Sequence, residues 1–574
     1  MGKVTPRWGA TKIAPGRWRI ATWAPSLDRL DLAIGKRSLP MSRDDGGWHS
    51  AEVEAEAGQT YAFIHNGTER PDPASRAQDG GVHARSILVD TDALAQRKPW
   101  QGRAWETAVI MEIHVGTFTR DGTLRAARDR LHTLASMGIT CVELMPLGQF
   151  AGDRGWGYDG VLPFALHPAY GTPQDLAEFV RVAHDAGLMV LVDAVYNHFG
   201  PEGAVLNDLC PSFFTADRQT PWGAAIDFDR PEVLQFVEQN AEMWLRDYGV
   251  DGLRLDAVHQ LGAPNDTHVL HHLARHLGKL DLDHPIHLIT EDERNITSYV
   301  EGEEAIRAQW NDDYHHAIHC LLTGEAQSYY APFSVDPFGD LVTALRDGQV
   351  DQGQDRPKGA EARGEPSGHL SPDHFVNSNQ THDQIGNRAF GERLISLSDP
   401  ATMRAVHAML LLAPFVPMLF MGEEIGARAP FQFFTDFDGD LAEAVRKGRR
   451  SEFPEFASAE REVPDPNAMA TFRASRPYSD PPSDADAWEE LTRHCLSLRH
   501  DHVVPRLRSG WQDTTVDRLS DRTLWARWRF GDGALEIAFT MEGPPPSLSR
   551  DAREIFYIAE DTGAGLRVGI GESK

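Results

Sequence analysis

Between residues 109 and 421 short strand-like runs alternate with amphipathic helices, and this alternation decides the architecture. The runs 109–114, 140–145, 188–193, 252–258, 287–291, 308–313, 374–380 and 417–421 are predicted strands. Leu124, Ala127, Leu131 and Leu134 keep helical spacing until Gly138. Thr172 and Pro173 supply an N-cap and a first-turn proline ahead of Leu176, Phe179, Val180 and Ala183, and Gly187 ends that helix. Further helices are predicted over 231–248 and 267–278. Such alternation means parallel strands with right-handed crossovers. Eight strands favour a closed (β/α)8 barrel over an open doubly wound sheet. No GxGxxG follows the first strand, which speaks against dinucleotide binding.

The flanks read differently. Runs at 18–23 and 60–65, set among turn signals such as Asp45-Gly46-Gly47 and Asn66-Gly67, suggest a small β-sandwich. Trp18 and Trp23 lie an odd number of positions apart, so on one strand they face opposite sides and at least one belongs to a core. After a helix at 486–499, runs at 524–530, 534–539 and 555–558 suggest a small C-terminal β domain. The expected fold is therefore α/β: an N-terminal β-sandwich over 1–100, a (β/α)8 TIM barrel over 101–503 with an insertion at 197–230, and a β domain over 504–574. The segment 352–373, rich in glycine, proline and charge, reads as an irregular or mobile loop.

Composition excludes several classes of partner. A net charge of -29 repels phosphate backbones and anionic membrane surfaces, so no nucleic-acid or membrane partner is expected. The N-terminus lacks the apolar core of a signal peptide, and the apolar run 408–421 is too short to span a bilayer. Cys141, Cys210, Cys320 and Cys495 form no CxxC pair, so reduced thiols and a cytoplasmic location are expected.

In a barrel of this kind chemistry sits at the C-terminal strand ends. Here those ends carry Asp193 to His198, Arg254 with Asp256 and His259, Glu291 to Asn295, Asn311 to His316, and Asn379 to Asn387. Any one of these acids could be a helix cap or an ion-pair partner, but five polar ends meet at one mouth. A ring of carboxylates with arginine, histidine and asparagine suits glycosidic chemistry. One acid protonates the leaving oxygen, and one carboxylate meets the oxocarbenium-like carbon. HxH and HExxH metal spacings are absent.

Asp193 to His198, Gly252 to Val258, Glu291 and His382-Asp383 resemble, in order, the four signature regions of the α-amylase family of glycoside hydrolases. Within it, the segments 72–76, 112–119, 155–160, 310–316, 322–325, 382–388 and 430–436 resemble the maltooligosyltrehalose trehalohydrolases. The resemblance implies Asp256 as nucleophile, Glu291 as general acid/base and Asp383 as transition-state stabiliser. It implies His198 and His382 as donors to sugar hydroxyls and Tyr158 as the platform under the sugar. Arg254, two residues before Asp256 on one strand, would hold it ionised. The substrate-binding set also takes in Leu255, Ala257 and Val258 beside Asp256, and Gln384, Ile385, Gly386 and Asn387 after Asp383. Asn311, Asp312, Asp313, Tyr314 and His315, with His259, are the candidates for selecting trehalose over maltose.

Two departures stand out. Thr381 replaces the family's asparagine, and Asp292 and Glu293 make an acidic patch expected to raise the pKa of Glu291. The reaction implied is retaining hydrolysis of the α-1,4 bond next to a terminal trehalose, with carboxyl groups about 5–5.5 Å apart. The partner is a maltooligosyltrehalose. No cofactor is expected, and no metal either, because the 197–230 insertion lacks a run of aspartate ligands. The alternatives are a glycogen branching or debranching enzyme of the same family, or a glycan-binding protein that kept the fold.

Overall fold

The computed structural model describes residues 8–95, 98–220, 223–261, 266–302, 306–456, 462–559 and 563–572. The first seven residues, to which the signal-peptide argument applies, and the ends of both outer expected domains lie outside them.

Eight parallel strands close into a barrel: Ile110–Ile113, Cys141–Leu144, Met189–Ala194, Gly252–Leu255, His287–Thr290, Ala308–Trp310, Phe375–Ser378 and Val416–Phe420. The last returns to the first, with Met418 opposite Ile110. The two-residue period of a strand sorts its side chains. Ile110, Cys141, Met189, Leu191, Ile289, Ala308, Val376 and Met418 form one apolar cluster, floored by Trp105. Met111, Ile113, Val142, Leu144, Val190, Val192, Leu253 and Leu255 join the larger cluster shared with the surrounding helices. One step further along the first set come Glu112, Glu143 and Asp193, all buried. The lumen thus changes from apolar to charged towards the C-terminal end.

The predicted helix signals are used. Thr172 and Asp175 form a capping box on Pro173–Asp185, and Gly138, at φ 110°, ends Leu131–Met137 in the left-handed region. Most strands are shorter than their sequence runs, and two lose three residues at their C-terminal ends. The fourth stops at Leu255 rather than 258, because Ala257 turns left-handed (φ 41°) and Val258–Gln260 forms a 3-10 turn. The sixth stops at Trp310 rather than 313, because Asn311 caps the helix Asp312–Thr323.

Before the barrel, two antiparallel sheets stack. One holds Gly9–Ala14, Arg17–Trp23, Trp48–Glu54 and Ser42–Arg43; the other is built around Asp31–Ile34 and Thr60–His65. Trp18 and Trp23 do face opposite sides, and both are buried. Trp18 packs in the sandwich core, while Trp23, paired with Trp48, joins the cluster that continues into the barrel. The C-terminal sheet has five strands where three are predicted, in the order Trp511–Ser520, Thr523–Phe530, Gly533–Thr540, Gly565–Glu572, Ala552–Ala559. The 197–230 insertion contains a hairpin, Phe214–Thr220 with Gly223–Ile226. The segment 352–373 is irregular, yet tied down: Arg356 pairs with Asp340 at 2.9 Å and Arg363 with Asp351 at 2.7 Å.

Candidate active site

Arg254 organises the charged end of the lumen. Its Nη1 donates to Asp193 Oδ2 at 2.7 Å and to Asp256 Oδ1 at 2.6 Å, and Nη2 lies 3.6 Å from Glu291 Oε2. The guanidinium sits 4.2 Å from the Trp310 ring centre. Burial opposes its charge, and the surrounding carboxylates more than restore it. Although Asp256 lies just past the strand, its carboxylate still meets Arg254, and Asn197 Nδ2 donates to the other oxygen at 3.1 Å. Asp193 accepts from Tyr158 Oη at 2.5 Å, and burial pushes its carboxyl up to about 6.

Glu291 follows the fifth strand. Its Oε2 accepts the Ala257 N–H at 2.6 Å, a bond that the left-handed turn at Ala257 makes possible. Burial raises the Glu291 pKa well above the usual range, with Asp256, Asp312 and Asp383 adding to the shift and Arg254 opposing it. A shift in this direction favours the protonated form that a general acid needs. The acidic patch expected to cause this does not. Asp292 is buried against Arg294 at 2.7 Å, and Glu293 is exposed, 3.7 Å from Arg363.

Asp383 is half-exposed at the mouth, on the short helix His382–Gly386. Thr381 caps that helix: its Oγ1 accepts the Asp383 N–H at 3.3 Å and donates to Gln384 Oε1 at 2.6 Å. His382 lies between Glu112, which accepts from Nδ1, and Asp383, whose Oδ1 is 3.7 Å from Nε2. Burial lowers the imidazole's pKa, but Glu112 and Asp383 more than offset this and raise it to about 9. Tyr158 stacks on His382 with ring centres 5.1 Å apart.

Glu291 and Asp383 face a cavity of about 220 Å³ whose wall also includes His259, Asp312, Gln384 and Asn387. Burial first, then Asp383 and Asp313, push Asp312 up to about 7. The other expected substrate contacts are not brought to this cavity. Asn311 spends its amide on Gly348 O and Asn377 Oδ1. Asp313 accepts from Val350 N, Asp351 N and Asn295 Nδ2. Tyr314 and His315 are buried within the helix packing, and Leu255, Val258 and Ile385 lie in the large apolar cluster. Ala257 contributes its backbone, and a side chain on Gly386 would strike Trp156. Both His198 ring nitrogens are engaged within the protein, by Asn197 Oδ1 at 2.6 Å and Tyr158 O at 2.9 Å.

The wall is completed by Trp310 and His316, by Glu293 of the acidic patch, and by two residues not singled out from sequence, Tyr329 and Arg363. Trp310 and His316 belong to the polar run after the sixth strand. Arg363 arrives from the irregular 352–373 segment, where periodicity gives no signal. Among the described residues, no group of three or more His, Cys, Asp or Glu side chains is arranged to hold a metal ion. All four cysteines are free and buried, and no helix among the described residues is long and apolar enough to cross a membrane.

Comparison with known proteins agrees with this geometry. The alpha amylase catalytic-domain model matches residues 102–219. A malto-oligosyltrehalose trehalohydrolase of Rhizobium sp. (strain M-11) is 38% identical, covering 96% of this chain and 96% of the relative. One from Deinococcus radiodurans is 40% identical, covering 92% and 88%. The crystal structure of a Salmonella typhimurium protein provisionally called an alpha amylase superposes with a TM-score of 0.93 at 40% identity, covering 99% of this chain and all of that one.

Proposed function

This chain belongs to the malto-oligosyltrehalose trehalohydrolases of the α-amylase family, and from that premise we propose how its residues carry the reaction. It is a glycoside hydrolase that cleaves the glucosidic bond next to trehalose. The branching or debranching alternative is not favoured, because relatives matching nearly the whole chain are trehalohydrolases.

Asp256 is the nucleophile, aimed by hydrogen bonds from Arg254 and Asn197. Glu291 protonates the leaving oxygen, then takes a proton from the incoming water. Asp383, half-exposed and facing the same cavity, stabilises positive charge at the reacting carbon. Two displacements at that carbon retain its configuration. Recognition of the leaving trehalose falls to the cavity beyond Glu291, where His259, Asp312, Gln384 and Asn387 offer hydrogen-bonding groups. The substrate is a maltooligosyltrehalose, a neutral sugar that tolerates an acidic cleft. Buried, unpaired thiols suit a reducing compartment, the cytoplasm.

The observation that carries the reading is one buried guanidinium serving both Asp256 and, at longer range, Glu291. Asp256 accepts from it directly, whereas Glu291, raised by burial, meets it only at longer range. Incubation with maltotriosyltrehalose should give trehalose plus maltotriose, and Asp256→Asn should lose about 10⁴-fold or more in kcat. Equal kcat/KM on the matching maltooligosaccharide would overturn trehalose selectivity. An undiminished Asp256→Asn variant would overturn the nucleophile assignment.

A further inference from the structure

At the other end of the barrel, a cavity of about 390 Å³ opens between the N-terminal ends of the first three strands and the helix Ala485–Leu498. Val109, Thr140 and Gly187, each just ahead of one of those strands, line it. Its charged lining is Arg103, Arg493, Arg499 and His500, with no carboxylate among the lining residues. In a chain of net charge -29 that runs against the average surface.

Among the described residues, two of these cations have no counter-ion. Arg103 gives Nε to Thr107 Oγ1 at 3.3 Å and Nη1 to Gly187 O at 2.9 Å, and among the described residues it makes no ion pair. Arg499 is buried. Its Nη groups donate to the carbonyls of Leu411, Ala413 and Phe415, and its Nε has no partner. Burial lowers the pKa of both, that of Arg499 to about 9, as uncompensated buried charge should. The other two are partly satisfied. Arg493 pairs with Glu489 at 2.6 Å, and His500 Nδ1 lies 3.0 Å from Asp501.

We propose that this cavity binds a phosphate monoester of hexose size, its dianion seated against Arg103. A guanidinium with a free edge presents the paired donors that phosphate oxygens accept. A charged lining made only of cations favours a dianion over a neutral or singly charged group. A bare phosphate would leave most of about 390 Å³ unfilled, whereas that volume lies in the range of small-molecule sites. The remaining wall pairs the Ser497 hydroxyl with the apolar edges of Val109, Ile139 and Leu496, a mixture suited to a sugar ring.

Calorimetric titration of the full chain with glucose 6-phosphate, inorganic phosphate and glucose tests this. Glucose 6-phosphate should bind more tightly than phosphate, and glucose should not bind up to about 10 mM. Arg103→Gln should weaken the sugar phosphate by about tenfold or more. Because Arg103 also bonds the backbone, Ser497→Glu on the exposed helix face serves as a second variant, and it should weaken binding as much. Hydrolytic activity should be unchanged in both, since the catalytic carboxylates lie at the far end of the barrel. Absence of glucose 6-phosphate binding, or binding that neither substitution weakens, would overturn the site. Equal affinity for glucose or for bare phosphate would overturn the ligand class.

Discussion

Replacing Glu112 by glutamine removes the charge that keeps His382 protonated while keeping the size of the side chain. Glu112 accepts from His382 Nδ1 and, through its other oxygen, from the His382 backbone N–H at 3.1 Å. The imidazole pKa of about 9, against an ordinary 6.5, corresponds to about 3 kcal/mol of folded-state stabilisation. The group is fully buried, so no solvent discount applies. Because the folded pKa is raised, this stability is complete below about pH 6.5 and is lost as pH rises through about 9. Glu112→Gln should therefore lower unfolding free energy by about 3 kcal/mol near pH 6, with the gap narrowing as pH rises from about 6.5 and nearly closed above about 9. Urea unfolding at the two pH values reads this directly. Activity should follow. With glutamine accepting at Nδ1, a neutral imidazole has no proton on Nε2 to offer a sugar hydroxyl. Losing a charge-assisted hydrogen bond costs about 1.5–3 kcal/mol, or about 10–100-fold in kcat/KM at neutral pH. A variant within twofold of the parent at neutral pH, with a stability gap that ignores pH, would refute the argument.

Substitutions at three further positions probe the same site. Asp312→Asn removes a negative charge that raises the Glu291 pKa, so the alkaline limb of the kcat profile should move to lower pH; an unmoved limb would show that Asp312 does not act on Glu291. Thr381→Val deletes the cap on His382–Gly386 and should cost about 1 kcal/mol in urea unfolding, with kcat falling more than KM rises, whereas Thr381→Asn should restore both. Ala257→Gly relieves left-handed strain of about 1–2 kcal/mol, partly offset by glycine's entropy of about 0.5–1 kcal/mol, so stability should rise slightly while activity holds.

The barrel was legible because parallel strands buried on both faces leave near-continuous apolar runs, and the intervening helices carry caps and stops such as Thr172 and Gly138. Strand ends were less legible. At Asp256 and Asn311 the backbone leaves the sheet to place a functional group or a cap, and tertiary demand overrides the run of apolar residues. Two C-terminal strands escaped notice for opposite reasons. Trp511–Ser520 is mostly polar and solvent-facing on an edge, and Gly565–Glu572 carries glycines that strand propensity disfavours. In the site, Asp256, Glu291 and Asp383 follow from ordered motifs. Glu112 and Arg363 do not, because their roles arise from partners 270 and 12 residues away in sequence.

The inward use of tryptophan in the N-terminal sandwich has a further consequence. Trp18, Trp23 and Trp48 are all buried, and among the described residues that domain exposes no large aromatic ring. Among the described residues, the exposed rings are Tyr557, on the C-terminal sheet, and Tyr329, in the wall of the catalytic cavity. An enzyme that works on long, insoluble glucan gains from aromatic footholds far from its cleft, which keep it tethered between cuts. Among the described residues, this chain offers no such foothold on its first domain.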